Sequence, residues 1–352
     1  MDRLPPSPPL WPGTDWAALD VLVIVVTYRG GPSLRRCLDA LAGQRPAGPD
    51  RPLPRHRLLV VDNGGTRATR EVLAAVADDP GVDVLEPGRN LGFAAGADVG
   101  LEPAAQAARD GTWPHGLVVL VNDDAVPRAD FLASMWAAHR AEGPDVAALT
   151  GLMLLTGTGG TVNSTGTLVR SRGSAEDRDA GLALTDLPPG GAPAEVFGFC
   201  GGAAGLRAVA LAKVGVLSPA WFLYYEDVDL SWRMRAAGMR VIHVPDAVVE
   251  HELAASSGTT SPVFRFHNDR NALLTFTRHA PAGVVWRAWL RFPAAVVWHA
   301  MRPATRPLVG VRLRALRAAL VLLPRTLAER RALWPEPGRR REVAARWLDR
   351  DR

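Results

Sequence analysis

Short runs that are apolar at every position alternate, over the first 150 residues, with longer stretches whose apolar positions recur every three or four. Val21-Leu-Val-Ile-Val-Val26 is continuous and β-branched and runs into Thr27-Tyr28-Arg29-Gly30-Gly31, which predicts a strand buried on both faces and closed by a loop. Pro32 to Leu41 follows, with Leu34, Leu38 and Leu41 at helical spacing. The unit then repeats. Leu58-Leu-Val-Val61 ends at Asp62-Asn63-Gly64-Gly65 and leads into a helix through about Ala77. Val82 to Leu85 predicts a third strand, and Phe93 to Arg109 a helix after Asn90-Leu91-Gly92. Leu117 to Val121 is a fourth strand closed by Asn122-Asp123-Asp124, with a helix from about Arg128 to Ala141. Strands alternating with helices predict an α/β fold with a parallel sheet. Such sheets take ligands beyond the carboxyl ends of their strands, and here those ends carry Thr27, Asp62, Asn90 and Asp124, which suits a nucleotide.

The pattern changes in the second half. Residues 171–194 turn polar and rich in proline and glycine, and read as a flexible loop near the site. Phe197-Gly-Phe-Cys-Gly-Gly202 follows, then an acidic helix start at Tyr224-Tyr-Glu-Asp-Val-Asp-Leu230, a strand at Arg240 to Val244, and His251 shortly after it. Residues 262–280 read as a helix, and 283–330 as two more with arginine and tryptophan interspersed.

Charge divides the chain unevenly. The formal net charge is +5, but residues 281–352 hold 16 arginines against 5 acids, a net of +11 that leaves −6 for the first 280 residues. So basic a region needs an anionic partner or a solvated surface. It also holds five of the eleven tryptophans, and Arg287 and Arg291 share one helix face while Val285, Trp289, Phe292 and Val296 share another. That suits a helix lying on an anionic membrane; a helical cap with a solvated arginine face is the alternative. No uncharged apolar run reaches the roughly 18 residues of a spanning helix. The proline-rich start, Met1 to Asp15, lacks the apolar core of a secretory signal. Cys37 and Cys200 form no CxxC pair and read as reduced cysteines of a cytosolic protein.

No GxGxxG follows the first strand and no GxxxxGKS/T occurs, which argues against a dinucleotide-dependent dehydrogenase and a P-loop NTPase. The strand ends supply carboxylates and amides instead, a set suited to a diphosphate held through a hard divalent cation, Mg2+ or Mn2+. Asn122-Asp123-Asp124 is the first such constellation, because a cation there neutralises charge developing on a leaving diphosphate. Its other reading is an acidic turn before a helix. Glu226 and Asp227 are the second. Adjacent at a helix start, they point in different directions, so one can serve as base behind a hydroxyl nucleophile while the other takes a structural partner such as Arg233 or Arg235. An acidic first turn favoured by the helix dipole is the alternative. His251 is the third, a metal ligand if a cation sits opposite and structural otherwise.

The chain carries, in order, Thr27-Tyr28, Val61-Asp62-Asn63-Gly64, Asn90-Leu-Gly-Phe-Ala94, Asn122-Asp-Asp124, Gly201-Gly202-Ala203, Glu226-Asp-Val-Asp-Leu-Ser-Trp-Arg233, His251 and His267-Asn-Asp-Arg270-Asn271. Over roughly residues 20–280 this set resembles glycosyltransferase family 2, inverting enzymes of GT-A fold, and within it the bacterial rhamnosyl- and galactofuranosyltransferase-like branch. The resemblance implies a Rossmann-like, mostly parallel sheet flanked by helices, to which the helices read after 280 add a helical C-terminal extension. The catalytic domain would run over 20–280, with donor and acceptor halves meeting at about 150, between a flexible arm over 1–19 and a basic helical region over 281–352 that lies outside the resemblance. Thr27 and Asp62 would hold the nucleoside, and Asn90 and Gly92 the ribose-diphosphate; Asp123 and Arg29 fall on the same donor side, Arg29 where many relatives carry Asn. Asp124 would be the principal metal ligand, with Asn122 in place of the first carboxylate of the family's DxD and His251 completing the sphere. Asp227 would be the base, Glu226 and Arg270 would contact a sugar, and Gly201 and Gly202 would lie on the acceptor side.

The activity implied is transfer of rhamnose, galactofuranose or a hexose from a nucleoside-diphosphate sugar to a glycan or polyprenyl-diphosphate-linked acceptor, in cell-surface polysaccharide biosynthesis. Such an enzyme is expected in the cytoplasm, peripheral on the inner face of the membrane and engaging its anionic surface through the C-terminal region. Two other classes remain open. A nucleotidyltransferase also joins such a sheet to carboxylate-bound metal, but only Arg29-Gly30-Gly31 offers a match to its glycine-rich loop. A non-catalytic nucleic-acid-binding protein is the second, suggested by the basic tail, and the acidic first 280 residues argue against it.

Overall fold

The first apolar run becomes a strand in the middle of a sheet. β1 (Val21–Thr27) is buried at every position: Leu22, Ile24 and Val26 pack on one face with Ala94, Ala97 and Leu101, while Val21, Val23 and Val25 pack on the other with Leu34, Cys37 and Leu38. Successive side chains alternate across a strand, so one covered on both faces must be apolar throughout. The computed structural model describes residues 15–188, 193–252, 261–303 and 306–349; most of the expected N-terminal arm and part of the 171–194 segment lie outside them.

From β1 the chain continues through α1 (Pro32–Ala42), β2 (His56–Asp62), α2 (Arg67–Ala74), β3 (Val82–Leu85), α3 (Gly92–Arg109) and β4 (Leu117–Asn122). Then come β5 (Ala125–Pro127), α4 (Phe131–Ala141), β6 (Val146–Leu155), β7 (Val162–Ser164), β8 (Thr167–Arg170) and β9 (Ser174–Asp177). β10 (Ala194–Val196), β11 (Ala203–Arg207), α5 (Ala208–Val214), α6 (Glu226–Ala236) and β12 (Arg240–His251) complete the central part. α7 (Pro262–His279), α8 (Ala282–Ala300), α9 (Val309–Leu333), α10 (Pro337–Trp347) and β13 (Leu348–Asp349) follow.

Among the described residues one ten-stranded sheet runs β10-β12-β6-β11-β4-β1-β2-β3, with β5 on β12 and β7 on β6. The four strands read from the sequence form a parallel block, β4-β1-β2-β3. β11 joins it antiparallel to β4 and to β6, and β6 lies parallel to β12. The segment read as a loop is not one throughout, because β9 lies within it and pairs antiparallel with β8, just before it. α4 starts at Phe131 rather than Arg128, because the preceding residues pair as β5 with β12.

The C-terminal helices are packed on the body of the molecule. Trp334 and Val343 share a core with Trp232 and Phe276, and Leu273 and Leu274 of α7 pack with Ala288 and Phe292 of α8 and Ala319 of α9. Polar contacts reinforce the seam: Arg278 of α7 meets Glu329 of α9 at 2.9 Å, and the Trp334 indole N–H donates to His279 Nδ1 at 3.2 Å. Among the described residues no helix is long and apolar enough to cross a membrane.

Candidate active site

The loops at the carboxyl ends of the parallel strands are tied to one another before any ligand is considered. At the end of β1 the Thr27 hydroxyl donates to Asp123 Oδ2 at 2.6 Å. Burial pushes the Asp123 carboxyl up to about 6, against the pull of that hydrogen bond and with the Asp124 charge adding to the rise. Gly30 passes so close that a Cβ there would collide with Thr27 Oγ1, and Arg29 before it is exposed with a left-handed φ of 62°. Asp62, at the end of β2, accepts from the Gly64 N–H at 3.1 Å, and Asn63 donates to the Gly92 carbonyl at 2.8 Å. Asn90 accepts from the Gly92 N–H at 2.8 Å. Gly92 has a φ of 77°, and a Cβ on it would strike the Phe222 carbonyl, so only glycine fits.

β5 and β12 pair so that Ala125 lies opposite His251, and this register brings His251 Nε2 to 3.0 Å from Asp124 Oδ1. The other ring nitrogen, Nδ1, lies 2.7 Å from Asn163 Oδ1. With Nδ1–H donating to that amide oxygen, the Nε2 lone pair faces a carboxylate oxygen, and a divalent cation between them would satisfy both. Among the described residues no three His, Cys, Asp or Glu side chains gather as a ready-made cage. Asp124 and His251 therefore fit a cation that takes most of its other ligands from a diphosphate and water, as Mg2+ commonly does. Asn122 lines the same cavity and can add only a neutral oxygen, while Asp123 is turned to Thr27.

That cavity, of about 430 Å3, also contains Gly201, Gly202, Glu226 and Asp227. The backbone enters α6 under strain, with φ of 62°, 67° and 71° at Phe222, Tyr224 and Tyr225, a cost that surrounding contacts must hold. Arg270 and Asn271 do so. Arg270 Nη2 donates to the Ala220 and Trp221 carbonyls, each at 2.9 Å, and the Asn271 amide donates to Trp221, Leu223 and Tyr224. Arg270, expected to touch a sugar, is thus directed at the backbone and does not line the cavity. Glu226 and Asp227 both line it, and the basic partners expected for one of them are engaged elsewhere, Arg233 with Asp229 at 3.1 Å and Arg235 with Glu195 at 2.5 Å.

The acidic pair has two environments. Asp227 accepts from the Gly201 and Val228 N–H groups at 3.2 and 2.7 Å. Burial raises its carboxyl to about 6 despite those bonds. Glu226 Oε2 is buried with no hydrogen-bond partner, and burial together with the Asp227 charge lifts that carboxyl to about 8. The two N–H donors on Asp227 favour the charge there, and the partnerless Glu226 Oε2 favours the proton on Glu226. The pattern-based reading of the sequence missed Glu176 and Asp177 of β9, which also line the cavity. Burial raises the Asp177 carboxyl, and its charge reaches Asp227. Nothing in Ser174-Ala-Glu-Asp177 marks a strand, since apolar alternation is absent.

The family described as "Glycosyl transferase family 2" matches residues 22–193. Over 293 residues the chain is 29% identical to N-acetylglucosaminyl-diphospho-decaprenol L-rhamnosyltransferase of Mycobacterium tuberculosis (strain ATCC 25618 / H37Rv), covering 78% of this chain and 89% of that protein. The same values hold for the enzyme of strain CDC 1551 / Oshkosh. Among solved structures, GalNAc-T7 with UDP, GalNAc and Mn2+ superposes with a TM-score of 0.56 at 13% identity, over 85% of this chain and 54% of that one, so this chain spans about half of its length. At that identity the likeness speaks for the fold alone, a mixed α/β architecture of GT-A type.

Proposed function

The chain belongs to glycosyltransferase family 2, and from that premise we propose that it moves rhamnose from a nucleoside-diphosphate donor, with inversion, to a hydroxyl of a sugar carried on a polyprenyl diphosphate. The observation that carries the reading is the meeting of Asp124 and His251 with Glu226 and Asp227 in one cavity. Rhamnose and the lipid-linked acceptor follow the mycobacterial relative, whose name states both.

The donor half, residues 20–150, would offer Thr27, Asp62, Asn90 and Gly92 to the nucleotide, and the acceptor half, 151–280, the wall from Asp177 to Asp227. A divalent cation held by Asp124 and His251, with Asn122 beside them, would neutralise the charge developing on the departing diphosphate. Asp227 takes the acceptor hydroxyl proton as that oxygen bonds to the anomeric carbon. The bond from this carbon to the diphosphate oxygen breaks with its electron pair, so nucleoside diphosphate leaves and the configuration inverts. Glu226, protonated in the same cavity, is a hydrogen-bond donor to the bound sugars.

The test is a panel of nucleotide sugars with Mn2+ and a short polyprenyl-diphosphate-linked sugar. Release of nucleoside diphosphate with extension of the lipid supports the reading. Failure with every nucleotide sugar, together with release of inorganic pyrophosphate from a nucleoside triphosphate and a sugar 1-phosphate, would assign nucleotidyl transfer and sink it.

A further inference from the structure

α8 has two apolar sides where a water-facing helix has one. Val284, Ala288 and Phe292 are buried against the body of the molecule. Trp286, Leu290, Val297 and Met301 are spaced four, seven and four apart, which places them on one stripe of the helix, and they are 67, 66, 58 and 71% exposed. α9 repeats the arrangement. Val311, Ala315 and Ala319 face inward, while Leu313, Leu320, Val321 and Leu327 are exposed. Neighbouring exposed apolar stripes of this kind mark an interaction surface.

The charge around the stripes identifies what they meet. From Pro281 through Ala328 the chain contains eight arginines and no aspartate or glutamate. One of the eight, Arg312, is buried at 3.5 Å from Asp269, whereas Arg291, Arg314 and Arg317 are exposed. The Arg302 guanidinium lies 3.6 Å over the ring of Trp298, itself partly exposed. A second copy of this chain would set arginine against arginine with no acid to answer it. Aliphatic and tryptophan side chains flanked by unopposed arginines match the apolar boundary and anionic headgroups of a lipid bilayer. We propose that the exposed faces of α8 and α9 dock this protein in the plane of an anionic membrane surface.

The surface is linked to the cavity by short elements. α7 places Phe264 and Asn268 in the cavity wall and packs its second half on α8 and α9. β9 gives Glu176 and Asp177 to the cavity, and just before it Arg287 of α8 donates to the Ser171 carbonyl at 3.0 Å. Docking would bring the acceptor side of the site to the lipid. Trp334 and Val343, beyond this face, are buried in the core and take no part in it.

The test uses the full chain and two variants altered only on the exposed face. One is Trp286→Ser/Leu290→Ser/Val297→Ser/Met301→Ser; the other is Arg291→Gln/Arg314→Gln/Arg317→Gln. Each is sedimented with phosphatidylcholine vesicles of rising phosphatidylglycerol content at low and high salt, after circular dichroism has established its fold. The wild type should bind in proportion to phosphatidylglycerol and release with salt, and each variant should bind more than about tenfold more weakly. Should the first variant not fold, the second decides the matter alone. Binding unchanged by the substitutions, or a wild type that stays in solution with phosphatidylglycerol vesicles, overturns the proposal. So does a wild-type dimer in light scattering that the first variant turns into a monomer, since the face would then be a self-interface. Turnover of the nucleotide sugar on a water-soluble acceptor is indifferent to all of this, so failure of docking is separable from failure of the proposed activity.

Discussion

Single residues carry the clearest chemical expectations. Asp227→Asn should lower kcat on the order of 10²–10⁴-fold, the usual cost of losing a general base. In the wild type, kcat should rise with pH through about 6 and then level, because the raised Asp227 carboxyl is protonated, and useless as a base, below that value. A pH–rate profile checks this, and Glu226→Gln proving the more damaging substitution would reverse the two roles. EDTA should abolish transfer reversibly, and Asp124→Ala should remove both activity and Mn2+ binding measured with a nucleoside diphosphate present. Asp124 and Asp227 could be singled out in the sequence because acids at a strand end and a helix start stand out against apolar flanks. Asp177 could not, since its neighbours in the cavity come from distant parts of the chain. Arg270, read as a sugar contact from its motif, has donors directed at the Ala220 and Trp221 carbonyls, a role that no sequence pattern marks. Arg270→Ala should therefore cost about 1–3 kcal/mol of stability through those unpaired groups, read as a shift in urea midpoint.

Elements were legible where one strong periodicity decided them. The run from Val21 and the helical spacing from Pro32 emerge within a residue or two of their observed limits. β12 was seen only to Val244, because Pro245-Asp246 reads as a break; the strand instead shifts register between Val244 and Val248 and continues to His251. α10 escaped notice because four of its eleven residues are arginine and its core contact rests on Val343, Ala344 and the partly buried Trp347. The joints between helices lie further beyond sequence reasoning. Asp229 of α6 is fully buried and meets Arg233, Arg278 and His279 at 3.1, 2.7 and 2.8 Å, bridging α6 to α7. Burial alone would raise its carboxyl, but Arg233, His279 and Arg278 hold it well below the ordinary range. A depressed carboxylate stabilises the fold above its unfolded value near 4 and loses that contribution as pH falls below it. His279, lowered to about 4 mainly by burial, adds a loss between about pH 6.5 and 4, since the unfolded chain binds its proton first. Asp229→Asn should cost about 3–5 kcal/mol by leaving buried arginines without their carboxylate, and should flatten the acid limb of a stability–pH curve.

At the scale of the whole molecule, the sequence sets an acidic catalytic part apart from a basic tail, and charge alone suggests that the two could be separated. The packing argues otherwise. Trp334 lies on Trp232 and His279, Glu329 pairs with Arg278, and Arg330 donates to the Thr277 carbonyl at 2.5 Å, so α9 closes the outer side of α7. α7 is also the helix whose Arg270 and Asn271 hold the strained approach to Glu226 and Asp227. Removing α8 to α10 would expose Trp232, Phe276 and the Asp229 network to water and loosen the segment that aims the acids. A chain ending at Ala280 should consequently melt well below the full-length protein, bind anilinonaphthalene sulfonate, and lose transfer to a water-soluble acceptor as well as to a lipid-linked one. If it instead kept the full-length melting temperature and water-soluble turnover while losing vesicle binding, the region after 280 would be a detachable anchor, and the coupling of α7 to the site through α9 would have to be abandoned. The point variants on the outer faces of α8 and α9 leave these internal contacts in place. They should separate membrane docking from folding, which truncation cannot do.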